Sequence, residues 1–121
     1  MPVKKILIVD DSPTERLLIA RLLEPGNFEI LMAGSGEEGI ERAKQFLPDL
    51  ILMDVVMPGT NGFQATRALA RDPVTKDIPV IMCTTKNQET DKVWGLRQGA
   101  LDYIGKPLDG PTLLAKIAAL G

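Results

Sequence analysis

The chain has 121 residues, of which 45% are hydrophobic and 25% are charged, and a chain of this length folds as one domain that buries roughly two thirds of its unfolded surface. Its net charge of −2, without a long basic run, argues against direct nucleic-acid binding, and no apolar run approaches the ~18 residues that cross a bilayer. With no histidine and a single cysteine, Cys83, an internal disulfide is excluded and a zinc site is disfavoured. The first residues form no signal-peptide core, so we expect a cytoplasmic protein.

Apolar runs alternate with amphipathic segments five times along the chain. The predicted strands cover residues 5–10, 28–32, 49–54, 78–84 and 101–104. A helix follows each strand, the fourth of them near residues 88–98, and most carry apolar residues at 3.6-residue spacing. Strands that are apolar throughout, alternating with helices that are apolar on one side, indicate an α/β fold with a parallel sheet covered on both faces.

Capping and breaking residues mark where the helices begin and end. The predicted N-caps are Ser12, Ser35, Asn61 and Asp109. The first two open capping-box patterns, with Glu15 and Glu38 three residues later. Breaks are predicted at Pro25-Gly26, Pro48 and Gly99. Residues predicted on the inner helix faces are Leu18, Leu22, Leu23, Gly39, Ile40, Ala43, Leu47, Leu113, Leu114, Ile117 and Ala118. The third helix is predicted to run through Phe63, Thr66, Leu69 and Ala70.

Charged side chains stand at the ends of three predicted strands. The pair Asp10-Asp11 follows the first strand, Asp54 ends the third, and Lys106 follows the fifth. Because the carboxyl ends of parallel strands meet at one edge of the sheet, where ligands bind, these groups are expected to converge. Thr84 ends the fourth strand and brings a hydroxyl to the same edge.

Three neighbouring carboxylates suggest a metal site and phosphoryl chemistry. They would repel one another by roughly 4 kcal/mol per pair at 4 Å and an effective dielectric constant of 20, and a divalent cation would relieve that repulsion. Carboxylate and carbonyl oxygens suit Mg²⁺, and a carboxylate nucleophile forms an acyl phosphate. In the plainer alternatives Asp11 is a helix cap and Lys106 a solvated turn residue, but Ser12 already occupies the cap position.

These residues, with Met57-Pro58-Gly59 and Gly62, make the whole chain resemble the receiver domain of two-component response regulators. The resemblance implies one receiver domain over residues 1–121. It also implies a flavodoxin-like (βα)5 doubly wound sandwich, in which the five-stranded parallel sheet has the order 2-1-3-4-5.

The resemblance also implies a role for each acid at the site. Asp54 would be the phosphoacceptor. Asp11 and Asp54 would ligate Mg²⁺ directly, together with the backbone carbonyl of Val56, and Asp10 would hold the ion through water. Val56 is apolar where many relatives carry a polar side chain, which leaves the lifetime of the phosphoryl group open.

The remaining site residues would bind phosphate or switch the surface. Lys106 would pair with the phosphate, and Thr84 would hydrogen-bond to it on activation. Thr85 belongs to the same phosphate-binding and switch group, and Tyr103 would be the aromatic switch residue, turning inward on activation. The peptide bond before Pro107 is expected to be cis, which costs little at such bonds.

The function implied is that of a phosphorylation-activated response regulator. It would take a phosphoryl group from a histidine kinase and signal by altered binding of a downstream protein through the fourth helix, fifth strand and fifth helix. It would be a monomer without enzymatic activity beyond self-dephosphorylation, and would bind neither nucleic acid nor membrane. Segments 61–67 and 84–95, with Asp72-Pro73, resemble the PilH-type single-domain regulators of type IV pilus twitching motility; another stand-alone, chemotaxis-type regulator is the alternative.

Three other functions remain open at this point. A haloacid dehalogenase-type phosphatase uses the same aspartyl chemistry, but that family requires an acid two residues after the nucleophile, where Val56 stands. The chain could also be an interaction module that is not phosphorylated, or a receiver cut from a longer regulator. Trp94 suits either core packing or a docking surface, and Cys83 is interpreted as a small buried strand residue.

Overall fold

A computed structural model describes residues 2–120 of the chain. Within them, five strands and five α-helices alternate. The strands are β1 Lys5–Val9, β2 Glu29–Ala33, β3 Leu50–Met53, β4 Val80–Thr84 and β5 Asp102–Gly105. The helices are α1 Pro13–Leu22, α2 Gly36–Phe46, α3 Gly62–Arg71, α4 Glu89–Arg97 and α5 Gly110–Ala118, and a 3₁₀ turn, Glu24–Gly26, follows α1. No helix in the described part of the chain has the length and apolar character needed to span a membrane.

The strands form one parallel sheet in the order β2-β1-β3-β4-β5, which confirms the predicted fold. Val9 of β1 pairs with Met53 of β3, so the residues that follow these strands leave the sheet at the same level. Thr84 of β4 pairs with Gly105 of β5 in the same way. The register therefore places the predicted site residues along one edge of the sheet.

Two apolar layers cover the two faces of the sheet. Leu7 and Val9 of β1 contribute to the layer beneath α2 and α3, whereas Ile6 and Ile8 contribute to the layer beneath α1 and α5. Alternate side chains of one strand thus enter opposite layers, because successive residues of a strand point to opposite faces. This two-sided burial explains why the central strands are apolar throughout.

Some residues predicted on inner helix faces lie outside. Leu18 is 47% exposed, and its neighbour Ile19 is buried instead. Leu47 is 54% exposed because it is the C-cap of α2 and adopts a left-handed conformation with φ of 48°, which takes it out of the helical repeat. Ala118 is also exposed.

The first predicted capping box forms only in part. Ser12 Oγ accepts a hydrogen bond of 3.2 Å from the Glu15 backbone N–H, as predicted. The Ser12 backbone N–H donates to Asp10 Oδ1 at 2.9 Å, in place of the expected bond to the Glu15 side chain. Glu15 is therefore free to contact another group.

The N-termini of α2 and α3 also differ in how completely a capping box forms. Ser35 caps α2 by accepting from the Glu38 backbone N–H at 3.1 Å, but the Glu38 carboxylate accepts from the Gly34 N–H. Asn61 and Gln64 form the complete reciprocal box at the start of α3. This box fixes the helix that follows the Asp54 loop.

Candidate functional site

Three carboxylates converge beyond the ends of β1 and β3. One oxygen each from Asp10, Asp11 and Asp54 lies within 4.8 Å of the others. Asp10 and Asp54 are buried, with 2% and 8% of their surface exposed, whereas Asp11 is exposed. The Asp54 backbone N–H donates to the Val9 carbonyl at 2.9 Å, which continues the sheet one residue beyond β3. The acid cluster is thus built on the two central strands.

Lys106 brings the positive charge to this cluster. Its Nζ lies 2.7 Å from Asp10 Oδ2, 3.4 Å from Glu15 Oε2 and 4.0 Å from Asp54 Oδ1. The Lys106 backbone N–H donates to the Thr84 carbonyl at 2.9 Å, and the peptide bond between Lys106 and Pro107 is cis, as expected. Burial alone would lower the pKa of Lys106, but the hydrogen bond to Asp10 and the nearby acids raise it. The ammonium therefore stays charged at neutral pH.

Asp54 is a carboxylate with a perturbed pKa. Burial raises the pKa of Asp54; the Lys106 ammonium and the Thr84 hydroxyl offset part of that rise, and the charge of Asp10 adds to it. Asp54 Oδ1 also accepts a hydrogen bond of 2.9 Å from the Val55 N–H. A carboxylate whose pKa is shifted by burial and by a neighbouring cation is typical of functional sites.

The donor set fits a hard divalent cation. Three carboxylates beside one ammonium leave a formal charge of −2 in the cluster. Oxygen donors with residual negative charge are the ligands that Mg²⁺ prefers. Val56 lies two residues after Asp54 and is 59% exposed. Its side chain has no ligating atom, so only its backbone carbonyl could bind a metal. The three acids could therefore hold a metal ion.

Thr84 and Tyr103 are both linked to Lys86, a residue that the sequence did not single out. Thr84 is fully buried and its Oγ1 accepts from the Lys86 N–H at 3.2 Å. The Tyr103 hydroxyl donates to the Lys86 carbonyl. Tyr103 is already buried, with 8% of its surface exposed, and burial, with the charges of Asp91 and Asp54, raises its pKa to about 12. The Lys86 peptide thus connects the two predicted switch residues.

Thr85 lies beside Lys106, on the side of the site that faces α1. It is exposed and lines a groove with Glu15 and Leu18 of α1 and with Lys106. Its neighbour in sequence, Thr84, is the buried one. The structure therefore places Thr85 at the margin of the site.

Two further contacts support the acids. The Arg16 side chain donates to the Asp10 backbone carbonyl at 2.6 Å. Gly62 packs so closely on the Asp54 loop that a Cβ would lie 2.0 Å from the Asp54 carbonyl oxygen. Any larger residue at position 62 would displace that loop, which gives a physical reason for the glycine in the motif. Sequence spacing gave no signal for Arg16.

Burial decides between the alternatives for Trp94 and tests the interpretation of Cys83. Trp94, on α4, is 49% exposed, so it is a surface residue rather than core packing. Cys83 is buried, as predicted, and burial raises the pKa of its thiol to about 12. The thiol is therefore not a reactive group.

Comparisons with known proteins agree with this geometry. Residues 6–118 match the family described as the response regulator receiver domain. The chain is 57% identical over 116 residues to Protein PilH of Pseudomonas aeruginosa, covering 96% of each chain. It is 44% identical to the phosphate regulon transcriptional regulatory protein PhoB of the same organism, of whose length it spans 51%. Chemotaxis protein CheY4 of Vibrio cholerae has a solved structure that matches at a TM-score of 0.90 and 30% identity, covering 98% of this chain and 99% of that one.

These findings confirm both resemblances drawn from the sequence. The receiver match covers β1 from Ile6 onward and the other four strands in full, and the PilH match extends over almost the whole chain. They favour the signalling regulator over the aspartyl phosphatase that shares its chemistry. The chain belongs to the response regulator receiver domain family, the phosphorylation-dependent regulators of two-component signalling.

Proposed function

We propose that Asp54 is the phosphoacceptor of this protein and that its phosphorylation switches the binding of a partner. The arrangement around Asp54 carries the proposal: a buried carboxylate lies 4.0 Å from a charged lysine and within a cluster of three acids. Membership of the receiver family implies a histidine kinase as phosphodonor and a downstream target. We propose residues 1–121 as one receiver domain that works in the cytoplasm as a monomer.

In the proposed reaction, an Asp54 carboxylate oxygen attacks the phosphorus of the donor phosphohistidine. The new O–P bond forms as the P–N bond breaks, and the donor imidazole keeps the electron pair. Lys106 would then pair with a phosphoryl oxygen, since its Nζ lies 4.0 Å from Asp54 Oδ1. The Thr84 hydroxyl would donate to a second oxygen. Self-dephosphorylation would be the only further chemical activity.

We assign the metal of this site as Mg²⁺. Asp11, Asp54 and the Val56 backbone carbonyl would hold it directly, and Asp10 would hold it through water. When bound, the ion supplies positive charge that neutralises the oxygens of the phosphoryl group in transfer. The formal charge of −2 that the acids and Lys106 leave in the cluster supports this assignment.

Thr84, Thr85 and Tyr103 would carry the change to the surface. If Thr84 turns toward the phosphoryl group, its hydrogen bond from Lys86 is lost, and the Lys86 carbonyl that holds Tyr103 is then free to move. Gly95 of α4 packs directly on the Tyr103 ring. A shift of Tyr103 would therefore reach α4.

We place the partner surface on α4, β5 and α5. Large apolar side chains are exposed on and next to α4: Val93, Trp94, Leu96 and Leu101, each between 44% and 53%. Exposed apolar groups grouped in this way are typical of interaction sites. The identity to PilH supports a role in type IV pilus twitching motility, with another chemotaxis-type pathway as the alternative.

Intact-mass spectrometry tests the phosphoacceptor. Wild type incubated with Mg²⁺ and acetyl phosphate should gain a single phosphoryl group, and Asp54→Asn should gain none. Asp77→Asn, at an exposed aspartate in the loop before β4, is the matched control and should behave as wild type. An undiminished adduct on Asp54→Asn would reject the assignment, and multiple-turnover hydrolysis of varied phosphate monoesters would favour the phosphatase.

The output surface has its own test. Beryllofluoride with Mg²⁺ should change the amide shifts of β5 and α4 and the emission of Trp94. Changes confined to the loops around Asp54 would reject the α4-β5-α5 surface. Phosphotransfer from the histidine kinases of the source organism would then identify the pathway.

A further inference from the structure

Glu15 departs from the role that its position in the helix predicts. It is the third residue of α1 after the cap Ser12, where a glutamate normally accepts a hydrogen bond from the cap N–H. That N–H instead donates to Asp10 Oδ1 at 2.9 Å. The Glu15 carboxylate lies 3.4 Å from Lys106 Nζ, on the side of the site that faces α1.

The Lys106 ammonium is thereby shared among three carboxylates. Its shortest contact is to Asp10 at 2.7 Å, the next is to Glu15 at 3.4 Å, and Asp54 is the most distant at 4.0 Å. Only the Asp10 contact is also a hydrogen bond. Glu15 and Asp54 compete for the ammonium through their charges, and Glu15 is the nearer of the two. A phosphoryl group on Asp54 would meet the same competition and the negative charge of Glu15 as well.

We propose that Glu15 is a positioning residue that draws Lys106 toward α1 and so lowers the affinity of the Asp54 site for a phosphoryl group. The proposal rests on the proposed function of Asp54 and adds a determinant of its resting state. The Glu15 side chain is 37% exposed, so solvent screens its charge. Removing that charge should therefore raise the affinity only about two- to fivefold, the range of exposed ion pairs.

A purely structural role for Glu15 makes a different prediction. An acid in the first turn stabilises a helix through the helix dipole, and its loss would lower the stability of α1. Such a loss would leave the environment of the Lys106 ammonium and the relative affinity for a phosphoryl mimic unchanged. The two roles can therefore be separated by measuring Lys106 and the affinity directly.

The test compares Glu15→Gln with Glu41→Gln in the full chain. Glutamine suits the third helical position as well as glutamate does, so Glu15→Gln removes the charge and keeps the helix. Glu41 is exposed on α2 and gives the same change in net charge away from the site. The affinity for beryllofluoride in the presence of Mg²⁺ is measured by NMR titration at low and at high salt. The ¹⁵Nζ resonance of Lys106 is measured separately, without beryllofluoride or Mg²⁺.

We expect Glu15→Gln to bind beryllofluoride about two- to fivefold more tightly than wild type at low salt, with a smaller difference at high salt. The Lys106 resonance should shift in Glu15→Gln and not in Glu41→Gln. Equal affinities, weaker binding by Glu15→Gln, or an unmoved Lys106 resonance would overturn this inference alone. Failure of wild type to bind beryllofluoride or to form the Asp54 adduct would overturn the proposed function, and this inference with it.

Discussion

The ammonium of Lys106 lies 2.7 Å from the Oδ2 atom of Asp10, a contact that joins the end of β5 to the end of β1 across the ends of β3 and β4. Both side chains are shielded, with 10% of the lysine and 2% of the aspartate side chain exposed. A buried pair of this kind is sensitive to the loss of one partner, because the remaining charge is left without compensation.

Replacing Lys106 with methionine should therefore destabilise the metal-free protein. We expect a loss of about 3 kcal/mol in the free energy of unfolding, the lower end for breaking a buried ion pair. Urea unfolding in the presence of a chelator measures it. Lys116→Met is the matched control, since Lys116 makes a contact of 2.8 Å to Asp102 at the surface. This variant should lose less than about 1 kcal/mol. Similar losses in the two variants would contradict this account.

Asp49 gives a prediction on pH. Its Oδ2 accepts hydrogen bonds from the backbone N–H groups of Lys5 and Lys4 at 2.9 and 3.0 Å, and these bonds lower the pKa of Asp49. A lowered pKa in the folded state gives a stabilisation that is present above the unfolded pKa, about 3.9, and is lost as the pH falls through the folded value.

Asp49→Asn should thus reduce the free energy of unfolding at pH 7 by about 0.5 kcal/mol, a small effect because the carboxylate is exposed. The difference from wild type should shrink as the pH falls below the unfolded pKa. Urea unfolding of both proteins at several pH values is the measurement, with Asp77→Asn as the control. If the difference in the free energy of unfolding between wild type and Asp49→Asn stays constant with pH, the charge of Asp49 is not the cause of the stabilisation.

The sequence predicts the edge of the sheet at which the site lies, but it does not predict which side chains contact one another there. Apolar runs that end in Asp10, Asp54 and Thr84 are enough to predict convergence, because parallel strands share a carboxyl edge. The contact of Glu15 with Lys106 and that of the Lys86 carbonyl with Tyr103 depend on packing between residues far apart in the chain, so spacing along the sequence carries no signal for them.

The wrong predictions of which helix residues face inward have a related cause. Residues 17–19 of α1 are all apolar, so the helical period alone allows more than one inner stripe, and the packing against α5 and β1 selects Ile19 over Leu18. Leu47 continues the apolar period of α2 in sequence, but the helix has already ended there. Periodicity identifies helices well and locates their last residue poorly.

Gly95 tests the coupling between α4 and Tyr103. A Cβ at this position would lie 2.8 Å from the Tyr103 ring and 2.9 Å from Met82 Sδ. Alanine in place of glycine normally stabilises a helix by about 1 kcal/mol, but here overpacking should cost about 1–3 kcal/mol. We expect Gly95→Ala to lower the free energy of unfolding and to shift the Tyr103 ring resonances.

Gly34→Ala is the control for that change. Its Cβ would meet the Arg16 guanidinium at 3.4 Å and Glu38 Oε1 at 3.9 Å, which are ordinary contacts with the ends of flexible side chains. The stability of Gly34→Ala should stay close to that of wild type. A Gly95→Ala protein that is more stable than wild type, with unchanged Tyr103 signals, would show that α4 does not press on the ring.

The proposed Mg²⁺ site predicts that stability depends on the ion. Metal binding would relieve the repulsion among Asp10, Asp11 and Asp54, and at 100 times its dissociation constant it should add about 2.7 kcal/mol to the free energy of unfolding. Asp11→Ala should lose most of this gain, since Asp11 is the exposed member of the cluster and is open to an entering ion. Thermal unfolding with and without Mg²⁺ measures the effect.

The same variant should respond differently when the metal is removed. Without Mg²⁺, Asp11→Ala should be at least as stable as wild type, because one of three neighbouring negative charges is gone. Asp77→Ala, which removes an exposed charge outside the cluster, should keep the full response to Mg²⁺. If wild type and Asp11→Ala gain equally from the ion, Mg²⁺ binds elsewhere and the assignment of Asp11 as a ligand fails. If Asp11→Ala loses the stabilisation by Mg²⁺ but keeps its stability without the ion, Mg²⁺ stabilises wild type by relieving the repulsion among the three acids.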